Sequence, residues 1–193
     1  MRKKTKELTI TALLTALAIT IPLVMPSIPP FKVVMPPFTA TLASHVPLIL
    51  SMFISPFSAV MTAIGSALGF LFAFPDPIVS VRAATHVFFT VAGAMMIRKK
   101  MNPVWTILVT LVLHSLSDML TVYLAADFFH MSALLKGNTM GYVQAWIGIG
   151  TSVHHLVDFL IAYIILQPLS KTGLVNSKLL WGGKKRETVG SNK

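Results

Sequence analysis

In the stretch "RAATHVFF", Arg82 and His86 place a permanent cation and a titratable imidazole four residues apart inside an apolar run. On a helix that spacing is slightly more than one turn, so the two side chains share a face. A guanidinium suits a carboxylate, which it can hold through two parallel hydrogen bonds. His114 and Asp118 repeat the same spacing, and His154, His155 and Asp158 form a third polar group in an apolar segment. Thr41, Ser44 and His45 make a fourth. Two adjacent histidines on a helix point about 100° apart, which argues against a metal held by His154 and His155 together. No metal site is expected. These two residues and Asp158 read instead as an interhelical hydrogen-bond group near the inner side.

The elements that carry these residues are apolar segments. Of 193 residues 54% are apolar and 11% charged, against roughly 25% charged in ordinary soluble domains. Six segments follow one another: about Leu8 to Met25, Thr39 to Ile54, Ser55 to Phe74, Ile78 to Ile97, Val104 to Phe128, and Tyr142 to Leu166. Most approach the ~20 residues that span a bilayer; the second is short and contains Pro47. The stretch "PSIPPFKVVMPPF" cannot be regular helix, and "FPDP", "RKKMNP" and "HMSALLKGNTMG" break the chain again. The first segment lacks a small-x-small cleavage site before a soluble domain and is expected to be a retained helix.

The pattern predicts an all-α integral membrane protein with six transmembrane helices over residues 1–170 and both termini on one side. The formal charge is +10. Of the 16 lysines and arginines, all but Lys32, Arg82 and Lys136 fall in the N-terminus, the "RKK" connector or the tail. That side should be the cytoplasmic one, and the protein a multi-pass component of the cell membrane. The tail, 171–193, is basic and without apolar periodicity; it is expected to be disordered and to meet anionic lipid headgroups. Nucleic-acid binding is not expected.

With no cysteine, disulfides and thiolate chemistry are excluded. No HExxH, Walker-type GxxxxGK[ST] or GxSxG motif is present, so the chain reads as neither an enzyme nor an ATPase. Active transport would need another chain or an ion gradient.

An arginine inside a span costs roughly 3 kcal/mol on insertion scales and normally has a partner or a wet cavity. Arg82 lies about one turn into the fourth segment. It has three readings: snorkelling to the outer interface, a structural ion pair with Asp118, or contact with a ligand. His86 and His114 suit interhelical hydrogen bonds as well as ligand contact.

The first segment contains "TALLTALAI", where Ala12 and Ala16 leave a flat strip for close helix approach. With the length, the span count and the orientation, this resembles the substrate-binding S-component of an energy-coupling factor (ECF) vitamin transporter. The resemblance implies that Ala12 and Ala16 dock a transmembrane T-component, that two ATPase subunits supply the energy, and that no cofactor resides in this chain. It also implies an outward pocket in the outer parts of helices four to six, with the proline-rich loop as a lid. The polar and aromatic residues placed there are Arg82, His86, Asp118, Tyr123, Gln144 and Trp146, with His45 from the second segment and Tyr142 beside them. "FTATLASHVPLILSMFISPFSAV" and "VRAATHVFF" are similar to S-components assigned to niacin. Pantothenate, also a carboxylate, would suit Arg82 as well. A different class remains open: a stand-alone proton-coupled carrier with Asp118, His114, His154 and Asp158 as its relay.

Overall fold

The computed structural model describes residues 2–28, 30–35, 38–74, 76–128, 141 and 143–175. Five helices among them are long and apolar enough to cross a membrane. The long helices are α1 (Arg2–Val24), α3 (Pro56–Ala73), α4 (Pro77–Arg98), α5 (Pro103–Phe128) and α6 (Gly150–Lys171); a seven-residue α2 (Val46–Met52) lies between α1 and α3. A π-helical stretch, Val143–Ile149, leads into α6.

Three helix starts share one local device. Ser55, Asp76 and Asn102 each precede a proline that opens a helix. Their side-chain oxygens accept from the amides of Ser58 (3.0 Å), Ile78 (2.9 Å) and Val104 (2.8 Å). The cap satisfies one free amide, and the proline removes another while fixing its own φ near the helical value.

The expected second span, 39–54, is not one continuous helix. The proline-rich loop folds into an antiparallel hairpin of β1 (Lys32–Met35) and β2 (Phe38–Thr41), with Lys32 opposite Thr41. A turn follows, then α2, whose seven residues are all buried and rise only about 10 Å. Phe38 packs with Val122, Val143 and Ile147. At the other end, the Ile54 carbonyl accepts from Arg98 at the end of α4 (3.3 Å). Residues 38–54 therefore run the length of α4 as strand, turn and short helix. Irregular backbone at membrane depth is tolerable only where protein covers it, which is the case here.

α1 lies against α3 and also touches α2. Gly65 and Gly69 form a small-xxx-small pair facing α1, and a Cβ at Gly69 would sit 2.7 Å from the Ile19 carbonyl oxygen and 2.8 Å from its Cα. Only glycine permits this backbone approach. Thr11, Leu14 and Ala18 of α1 are buried, whereas Ala12, Leu13, Ala16 and Leu17 are exposed.

Candidate functional site

α4, α5, α6 and the strand–turn–helix segment converge on a small cavity. Its wall includes Thr39, Ala40 and Thr41 of β2, His45 before α2, Arg82 and His86 of α4, His114 and Asp118 of α5, and Thr151 and His154 of α6. The cavity volume is about 20 Å³, enough for a single water and too little for an aromatic ring.

Arg82 is 7% exposed and Asp118 1%, so the arginine does not snorkel. Its Nη2 and Nε donate to Asp118 Oδ2 at 2.6 and 3.2 Å. Thr151 donates to that same oxygen at 3.1 Å. All three contacts use Oδ2; among the described residues Oδ1 is buried without a hydrogen-bond partner. Lowering the dielectric strengthens such a pair but penalises whichever charge is left alone. One turn away, Thr85 of α4 and Ser117 of α5 meet at 3.2 Å, which fixes the rotation of the two helices.

Beneath this pair the histidines gather. The His45 ring lies 4.6 Å, centroid to centroid, from each of the His86, His114 and His154 rings, and His86 lies 4.8 Å from His114. His114 Nδ1 meets His155 Nδ1 at 3.1 Å, and His155 Nε2 meets Thr110 Oγ1 at 3.2 Å. Nδ1 of His45 and of His86 are buried with no hydrogen-bond partner among the described residues.

Asp158 explains the broken second segment. Its Oδ1 accepts from the Ala43 amide (2.8 Å) and its Oδ2 from the His45 amide (2.9 Å). Both amides belong to the turn before α2, where Ala43 adopts φ 66°, a region that costs an alanine about a kilocalorie or more. His45 Nδ1 lies 3.2 Å and His154 Nε2 3.6 Å from Asp158 Oδ2; the His45 contact has ion-pair distance without hydrogen-bond alignment. A carboxylate supplied by α6 thus stands in for the missing helical acceptors.

Of the expected site residues, the structure brings together Arg82, His86, Asp118 and His45 at the cavity. Tyr123 and Trp146 do not line it: they are 40% and 42% exposed, and Trp146 lines a shallow groove with Val33, Phe38 and Val153 that adjoins the cavity at Ala40 and His154. On α5, Tyr123 follows Asp118 by five residues and turns to a different face. The Gln144 side chain and Tyr142 lie outside the described residues. His154, His155 and Asp158 make interhelical contacts: His154 lines the cavity, His155 meets His114 and Thr110 of α5, and Asp158 holds the turn at Ala43. Thr39 and Thr151 were missed. For Thr151 a signal existed, since Thr151, His154 and Asp158 at i, i+3 and i+7 mark one polar stripe of α6.

No family model matches the chain, and no solved structure matches it significantly. A curated relative does. The chain is 31% identical over 177 residues to the niacin transporter NiaX of Lactococcus lactis subsp. cremoris (strain MG1363), an alignment covering 88% of this chain and 77% of that protein. At that identity and coverage the chain belongs to the family of that niacin transporter.

Proposed function

We propose that this protein is the membrane-embedded capture subunit of an importer for nicotinic acid, driven by a T-component and two ATPase subunits. The observation that carries the reading is the buried Arg82 at a cavity, held by one oxygen of Asp118, in a chain whose relative is a niacin transporter. Nicotinic acid offers a carboxylate and a ring nitrogen about one ring apart. Arg82 can take the carboxylate by exchanging one hydrogen bond to Asp118 for a bidentate pair. Asp118 Oδ1, buried without a hydrogen-bond partner among the described residues, would reach the ring nitrogen through a bridging water that donates to both.

The present cavity is too small for the ring, so capture requires its wall to open. β2 is the wall element with the least helical support, and the hairpin of β1 and β2 is the natural gate.

The reading is tested by uptake of labelled nicotinic acid in cells lacking their own niacin importer. Uptake should require co-expression of a T-component and ATPases and should vanish when ATP hydrolysis is blocked by a Walker-lysine substitution in the ATPases. Uptake by this chain alone, abolished by a protonophore, would instead establish a proton-coupled carrier.

A further inference from the structure

We infer that the histidine cluster beneath Arg82 is a binding site for a divalent transition-metal ion, held by His45, His86 and His114. Each of these three buried residues offers one ring nitrogen, and the three nitrogens lie within 4.8 Å of one another. Bonds of about 2.0–2.1 Å to a central ion need only small ring rotations from that arrangement. His154 and His155 diverge because they are adjacent on one helix, whereas His45, His86 and His114 come from three different elements.

The donor set selects the ion. Neutral imidazoles suit zinc, cobalt, nickel or copper, whereas magnesium and calcium require oxygen ligands. Nδ1 of His86, without a hydrogen-bond partner among the described residues, is a buried polar atom that an ion would satisfy. The ring of His114 is oriented from behind by His155, itself held by Thr110; outer partners of this kind fix metal-ligating histidines. His45, His154 and Asp158 form an alternative donor group. The Asp158 oxygens, however, already accept the amides of Ala43 and His45, so the all-histidine trio is the site. The open space matches one ion or water better than an organic ring.

Charge gives the site a purpose, and this part alone rests on the nicotinic acid reading. Arg82, Asp118 and Asp158 together carry one net negative charge when all are ionised, which disfavours a carboxylate. A divalent ion reverses the sign. Three histidines also leave a fourth coordination position open, as in sites that bind an exchangeable ligand.

The test uses the full chain purified in detergent with a histidine-free affinity tag, stripped with EDTA and titrated with Zn²⁺ or Co²⁺ alone. We expect one ion per chain with micromolar affinity or better, and with Co²⁺ an intense visible absorption of a four- or five-coordinate site. His86→Gln and His114→Gln should each weaken binding about 100-fold, at least the loss seen for outer-shell partners. Trp105→Phe, at an exposed residue of α5, should leave it unchanged. No stoichiometric binding by monodisperse wild-type protein overturns the inference, as does affinity unaltered in both cluster variants. Nicotinic acid binding by an ion-free chain that takes up no ion removes the metal and keeps the substrate reading; ion binding without nicotinic acid binding does the reverse.

Discussion

At the scale of residues, two carboxylates do different work. Asp118 balances a cation, while Asp158 accepts two backbone amides that no helix turn provides for. Replacing Asp158 by Ala leaves both amides buried and unpaired, at about 1–3 kcal/mol each. We therefore expect Asp158→Ala to lower the unfolding temperature in detergent sharply and to admit protease at the turn, with Asp158→Asn intermediate because its remaining carbonyl oxygen still accepts one bond. Equal stability of the three proteins would contradict that role. Asp118→Ala leaves Arg82 as an uncompensated buried charge, a change worth about 3–5 kcal/mol. The double variant Arg82→Met/Asp118→Leu should recover much of that stability in thermal unfolding while abolishing nicotinic acid binding. A double variant no more stable than Asp118→Ala would deny that the pair is coupled.

At the scale of elements, the long helices were legible in the chain because apolar runs and Ser-Pro, Asp-Pro and Asn-Pro starts are local signals. The strand–turn–helix segment was not. Its apolar character is that of a span, and what breaks it is an acceptor 115 positions away, Asp158 bonding Ala43. The α1–α3 contact was also passed over, since Gly65 and Gly69 become meaningful only once α1 is seen against them. A side chain at Gly69 would collide with backbone at Ile19 rather than with a movable side chain. Gly69→Leu should thus part α1 from α3 and cost several kcal/mol in the way overpacking does, read as a drop in unfolding temperature; Leu68→Ala, at an exposed neighbour, should cost little. A Gly69→Leu protein as stable as wild type would mean that the two helices do not need their close approach.

At the scale of the whole molecule, the cavity is walled by α3, α4, α5, α6 and the strand–turn segment before α2, and an apolar strip on α1 lies apart from it. Ala12 and Ala16 are exposed beside Leu13 and Leu17 and take no part in the cavity wall, so a partner helix can reach them without disturbing the pocket. Ala12→Trp/Ala16→Trp should abolish co-purification with a T-component while leaving nicotinic acid affinity within about twofold; a variant that still assembles would place the docking face elsewhere. How much of the site the chain disclosed follows the same division. Arg82, His86 and Asp118 announce themselves by type and local spacing in apolar surroundings. The convergence of His45, His86, His114 and His154 depends on how three helices and a turn are rotated about their axes, which no local spacing records. Trp146 and Tyr123, chosen for chemical type, are excluded from the cavity by the same rotations.

The most direct measurement is a calorimetric titration of the purified chain with nicotinic acid, beside nicotinamide as its uncharged analogue, in wild type and Arg82→Ala. The account predicts tight binding of the acid, at least about 100-fold weaker binding of the amide, and loss of the acid's advantage in Arg82→Ala, as expected when a buried hydrogen-bonded charge pair worth 2–5 kcal/mol or more is removed. Equal affinity for acid and amide, or acid binding undiminished without Arg82, would contradict it.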